Sequence, residues 1–210
     1  MSIKSRSRVQ TIGGVAAFIY AGMAIATLGV AFGIIGPAVL ADRQKLVDLA
    51  LTNPTPLLIQ DILKFILAIA ASGMIVALFV RLQANSPILQ RIAALSGVLA
   101  VSGLVLNASL SLFTLSQASN STSVSEETSM RLAGVVGLLG LIVIVLHGVW
   151  YLLVNWTALR HKRLPRWLSY LGIGMGVISL VPVLGILVLL CSIVWSAGVG
   201  QVLLEGEGSG

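Results

Sequence analysis

The stretch LAGVVGLLGLIVIVLHGVWYLLVNWTAL, residues 132–159, runs for 28 residues without a formal charge and stops against Arg160-His161-Lys162-Arg163. A helix rises about 1.5 Å per residue, so about 20 apolar residues cross the ~30 Å hydrocarbon layer of a bilayer. This run is long enough with turns to spare, and its basic stop stands where lipid headgroups would hold it. In water nothing in the chain could cover it. It reads as a membrane-spanning helix.

The rest of the chain repeats the pattern on both sides of it. Upstream, residues 11–40, 57–80 and 92–115 each read as a span. Downstream, residues 167–204 carry no charge and would measure about 57 Å as one helix, nearly twice the hydrocarbon thickness. Pro182 and Gly185 near the middle predict a break, giving spans at 167–181 and 184–204 joined by a tight apolar turn, with a broken or re-entrant helix as the alternative. Residues 42–53 interleave charged and apolar side chains and read as a helix lying at the interface, capped by Asp42 and stopped by Asn53-Pro54. Asn85-Ser86-Pro87 reads as a turn, and 116–130, rich in Ser, Thr and Asn, as a solvated loop. The expected fold is therefore all-α: one polytopic transmembrane helix bundle over residues 1–210, with six spans, or five if the last helix is broken.

Composition agrees. Hydrophobic residues make up 57% of the chain and charged ones 10%, against about 25% charged in a soluble domain. The net charge of +6 sits in clusters beside apolar stretches, so headgroups and orientation explain it and nucleic acid is not an expected partner. Cys191 is the single cysteine, which excludes an intrachain disulfide and a cysteine metal cluster. The uncharged run after Lys4, Arg6 and Arg8 is longer than a signal-peptide core, so a retained first helix is expected. With the N-terminus in the cytoplasm and six spans, nine of the 13 Lys and Arg fall inside and four outside. That bias predicts a multi-pass protein of the cell membrane with both termini cytoplasmic.

Small residues recur at helical spacing, and in lipid such stripes mark close helix packing. Gly22, Ala26, Gly29, Gly33 and Gly36 form one in the first span; Ala93, Ser96, Ala100, Gly103 and Asn107 form another in the third. Ala133, Gly137 and Gly140 continue the theme in the fourth, as do Gly172 and Gly176 in the fifth.

Polar groups inside a membrane are costly and so become candidates for function. His147, Tyr151 and Asn155 follow at four-residue steps and share a face. His147 could ligate haem or chlorophyll or relay a proton, although a neutral histidine hydrogen-bonded to a neighbouring helix is commoner. Asp61 and Lys64 lie one turn apart and could bind a polar ligand, although an ion pair at the headgroups is commoner, with Lys64 and Arg81 snorkelling toward opposite surfaces. Asn107 with nearby hydroxyls makes half of the third span polar, and Ser192, Trp195 and Ser196 do the same in the last. Trp150, Trp156 and Trp167 read as an aromatic belt. No GxSxG or HExxH motif and no intramembrane carboxylate pair occurs, so no catalytic residue, metal site or enzyme activity is expected.

The connection Arg160-His161-Lys162-Arg163-Leu164-Pro165-Arg166-Trp167-Leu168-Ser169-Tyr170-Leu171-Gly172 resembles the basic "LPRWLxxLG" link between late spans in a group of bacterial six-span proteins, the domain of unknown function 4386 family. The resemblance implies a fold and a bacterial inner membrane, and no catalytic residues. The functional expectation is a non-catalytic scaffold, accessory subunit or lipid- or small-ligand-binding protein, without a cofactor. Its partners would be membrane lipids, other membrane proteins or further copies of itself. A small transporter or channel and a haem- or pigment-binding subunit using His147 are the alternatives.

Overall fold

The computed structural model describes residues 3–82, 87–120, 126–181 and 184–205, and among them it contains helix and no strand. α1 (Ile3–Leu28) runs on through a π-helical segment (Gly29–Ile35), and α2 (Pro37–Leu40) is a single turn. α3 (Arg43–Thr52) is short, and α4 (Thr55–Arg81), α5 (Pro87–Asn120) and α6 (Glu126–Arg160) are long. α7 (Arg166–Ile178) has 13 residues and α8 (Gly185–Glu205) has 21.

Five stretches are long and apolar enough to cross a membrane: Arg8–Ile35, Thr55–Arg81, Ile88–Gln117, Arg131–Arg160 and Gly185–Glu205. Ile12, Ile69 and Leu138 stand exposed on their outer faces, as lipid-facing residues do. The sixth helix, α7, would reach about 20 Å at its length, which is short of the ~30 Å layer. The bundle nevertheless closes as a ring of six: α1 packs on α4, α4 on α5, α5 on α6, α6 on α7, α7 on α8, and α8 returns to α1.

The depth of the α7–α8 bend follows from its neighbours. A Cβ at Gly172 would collide with the Asn155 side chain, one at Gly148 would meet Ser179 Cβ at 2.5 Å, and one at Gly185 would meet Ile144 Cδ1 at 3.2 Å. The bend thus lies level with residues 144–148, midway along the uncharged stretch of α6. Its visible backbone groups are bonded locally: Leu180 N donates to Val177 O, Val181 N to Ile178 O and Leu184 N to Val181 O. Ser179 Oγ donates to Met175 O at 2.8 Å. Bonding of this kind is what allows a bend inside hydrocarbon. The break falls where the sequence places it, though Pro182 itself lies outside the described residues, as do Asn85 and Ser86 of the expected turn; Pro87 begins α5.

α3 is a helix within the expected 42–53. Asp42 Oδ1 accepts from Gln44 N at 2.9 Å and Lys45 N at 3.4 Å, and the helix ends at Thr52 before Asn53-Pro54. Other expectations change. The first span ends at Ile35 rather than residue 40, because Gly36 takes φ +87°, a backbone state that favours glycine, and Pro37 then starts a new turn. Helix also continues into the expected loop, through Asn120 and again from Glu126, and 121–125 lie outside the described residues.

The glycine stripe of α1 is the clearest correction. A Cβ at Gly22, Gly29, Gly33 or Gly36 would meet nothing within 4 Å. α1 instead packs one face earlier: a Cβ at Gly13 would collide with Ala77 Cβ of α4, and one at Gly14 would meet Leu204 of α8 at 2.7 Å. The α5 stripe does pack, with Ala93, Ser96, Ala100 and Asn107 buried, and so do Gly172 and Gly176 of α7.

Two charged or aromatic residues also turn inward. Arg81 does not snorkel outward. It is buried and donates from Nε to Arg163 O at 3.3 Å and from Nη1 to Val202 O at 3.1 Å, satisfying a carbonyl in the last turn of α8. Trp150 is 2% exposed and belongs to the core, whereas Trp156 and Trp167, both more than half exposed, fit the belt reading.

Candidate functional site

The four long helices extend beyond the α7–α8 bend, and the two halves of the bundle differ as a result. In the half nearer the termini the centre is filled. Trp150 and Tyr151 of α6 and Trp195 of α8 pack edge to face, Trp195 with ring centroids at 5.7 Å from Trp150 and 5.0 Å from Tyr151, in the geometry aromatic quadrupoles favour. Trp195 Nε1 donates to Asn155 Oδ1 at 3.0 Å, and Asn155 Nδ2 donates to Tyr151 O at 2.8 Å. Asn155 therefore acts as a joint between α6 and α8, with Gly172 of α7 lying against it.

In the other half the centre is open. A cavity of about 230 Å³ reaches from there down past the level of the bend, between α1, α4, α5, α6 and α8, with Tyr20, Lys64, His147, Tyr151 and Ser192 among its lining. The Tyr20 hydroxyl lies within interaction range of Tyr151 and Ser192. His147 donates from Nδ1 to Val143 O on its own helix at 3.0 Å, not to a neighbour, and its ring centroid is 6.5 Å from that of Tyr151. In the neutral ring this leaves Nε2 as the acceptor. Thr27 Oγ1, also on this lining, is buried without a hydrogen-bond partner.

A second cavity, of about 290 Å³, lies beneath α3 against α4, α5 and α6. Lys64 lines both cavities. Its Nζ donates to Asp61 Oδ1 at 2.8 Å and to Asn107 Oδ1 at 3.1 Å, while Asn107 Nδ2 donates to Val136 O at 2.7 Å. One charged group thereby ties α4 to α5 and, through Asn107, to α6. Asp61 is 1% exposed and its Oδ2 has no partner. The ion pair is turned into the bundle: Asp61 is buried, and Lys64 finds an amide acceptor on α5 in place of water.

The candidate residues of the sequence thus fall into two groups that meet at one cavity. His147 and Tyr151 line the inner cavity, Asn155 lies below it, and Lys64, with Asp61 and Asn107, stands at its other end. The sequence missed Tyr20 and Arg43. Tyr20 gives no periodic signal. Arg43 does: it precedes Leu46, Val47, Ala50 and Leu51 at steps of 3, 4, 7 and 8, on the apolar face of α3, where a cation is out of place. Among the described residues no three His, Cys, Asp or Glu side chains gather as a metal site would require.

Comparison with known proteins fits this chain to one family: the model for a domain of unknown function, DUF4386, matches residues 15–204. The chain belongs to the DUF4386 family. No curated protein and no solved structure matches it. The DUF4386 match takes in all six ring helices, from within α1 to the end of α8, and with them both cavities.

Proposed function

We propose that this DUF4386 chain is a non-catalytic protein of a bacterial inner membrane that binds a lipid or small amphiphile in the half of the bundle away from its termini. The observation that carries the reading is the pair of cavities that share Lys64. Their linings are mainly apolar with a few placed polar groups, the composition of small-molecule sites, and the larger is close to the ~300 Å³ lower end of such pockets. In the filled half Asn155 and Trp195 are engaged in joining helices, which suits a binding protein better than a catalyst. Nine of the 13 Lys and Arg on the terminal side support cytoplasmic termini, so the cavities open toward the outer leaflet. A tetrapyrrole on His147 finds less support, since the inner cavity of about 230 Å³ is below the size range of drug-like ligands.

Native mass spectrometry of the chain gently extracted from its host tests this. One lipid or amphiphile per chain, retained on activation, is the expected result. Gly137 lines the larger cavity, and a Cβ there would meet nothing within 4 Å, so Gly137→Leu fills space without displacing the fold. That variant should lose the adduct. A bare wild-type chain, or an adduct indifferent to Gly137→Leu, overturns the reading.

A further inference from the structure

We propose that the inner cavity receives an uncharged end of the bound amphiphile, one that carries a hydroxyl beside a carbonyl oxygen, as the glycerol ester of a monoacylglycerol does; this rests on the lipid-binding reading above and specifies its ligand. The reason is the hydrogen-bonding capacity left over along the cavity. At one end Lys64 Nζ spends two of its three hydrogens on Asp61 and Asn107, so the third remains for a ligand oxygen. Thr27 stands near that end. Gln60, one turn before Lys64 on α4, donates from Nε2 to Thr27 O at 3.1 Å, and Thr27 Oγ1 is buried without a partner. Both Lys64 and Thr27 can donate to an acceptor.

The other end is short of hydrogens. Ser192 Oγ donates to Leu189 O at 2.7 Å, so toward Tyr20, which lies within its reach, it can only accept. Tyr20 therefore gives its hydrogen to Ser192 and takes one from Tyr151, and the three hydroxyls leave none over for a ligand. His147 Nδ1 faces the Val143 carbonyl, which can only accept, so the ring hydrogen sits there and Nε2 is left as an acceptor. A ligand hydroxyl supplies the hydrogen that these lone pairs lack, while its carbonyl takes the one that Lys64 offers. Lys64 is the one charged side chain among the described residues lining the cavity, and Asp61, 1% exposed, holds it at 2.8 Å. A cation would face that ammonium, and an anion would find it already neutralised. Lys64 also lines the larger cavity, where Leu46, Val47 and Leu132 offer the acyl chain an apolar course.

The test presents the full chain, in detergent, with equimolar monooleoylglycerol, methyl oleate and oleate, which share one acyl chain, read by native mass spectrometry. Methyl oleate keeps the carbonyl and lacks the hydroxyl; oleate carries a charge. Wild-type protein should retain monooleoylglycerol at least about fivefold over methyl oleate, the measure of one neutral hydrogen bond, and should prefer it to oleate as well. His147→Phe, which keeps a ring and loses the acceptor, should bring the ratio of monooleoylglycerol to methyl oleate close to one. His147→Gln, whose amide oxygen accepts, should keep most of it.

Equal retention of monooleoylglycerol and methyl oleate overturns the hydroxyl assignment, as does a preference that His147→Phe leaves intact. Stronger retention of oleate overturns the neutrality of the site. A chain that carries an amphiphile from its host yet takes up none of the three probes overturns this inference alone. One that carries none and takes up none overturns the lipid-binding reading with it.

Discussion

Asn155 accepts from Trp195 with one end of its amide and donates to the Tyr151 carbonyl with the other, so neither polar end is left bare in the core. Interhelical hydrogen bonds in membranes contribute modestly, on average about 0.6 kcal/mol and up to about 2. A double-mutant cycle of Asn155→Leu and Trp195→Phe should show coupling within that range in unfolding from mixed micelles, and strict additivity would mean that the bond contributes nothing. Arg81 has more at stake. It carries a charge, is buried, and bonds two carbonyls from separate elements, Arg163 and Val202. Arg81→Met should cost about 2–3 kcal/mol by the same assay, as expected for hydrogen bonds to a charged group. Arg81→Lys should recover only part of it, because an ammonium lacks the planar fork that reaches both acceptors.

Among the helices, the two α1 stripes offer a direct contrast. Gly13 sits where a Cβ would strike Ala77, and Gly22 sits where a Cβ would meet nothing. Gly13→Leu should destabilise the bundle by about 1–3 kcal/mol or more through overpacking. Gly22→Ala should be neutral or stabilising by about 1 kcal/mol, since alanine is the better helix former. Equal effects on detergent melting would contradict the packing described. The contrast also shows what a sequence can carry. Spans, the Asp42 cap and the shared face of His147, Tyr151 and Asn155 follow from local spacing, so they were legible. Which face of α1 meets α4 depends on partners that spacing does not encode, and Gly22–Ala26–Gly29 is as good a stripe as the one that packs. Lys64 shows the same limit: its acceptor Asn107 stands 43 residues away, so only the folded bundle reveals that the ion pair points inward.

For the molecule as a whole, the ring of six helices is deep on one side and shallow on the other. Its stopping level can be measured. With Cys191 replaced by Ala, cysteines placed at the exposed positions Leu180 and Val181 should resist membrane-impermeant thiol reagents from both sides of sealed vesicles. Labelling from the far side would put the bend at that surface instead. Asp61, Lys64 and Asn107 meet in the open half, where a helix pair that ends midway uncovers the inward faces of α4, α5 and α6, while Tyr151 and Asn155 lie in the filled one. That level was only partly readable from the sequence. The length of 167–204 requires a break, but how far α7 climbs is set by its contacts with Gly148 and Asn155.

The hairpin also has a consequence for how the chain is made. A helix pair joined by an apolar bend has no charged segment to carry across a bilayer, and the described backbone groups of the bend are hydrogen-bonded locally. The α7–α8 pair can therefore wedge into the assembly sideways, after the long helices are in place. On that route, the ring closes after its long helices are placed, and Arg81 stands ready to latch it when Val202 arrives.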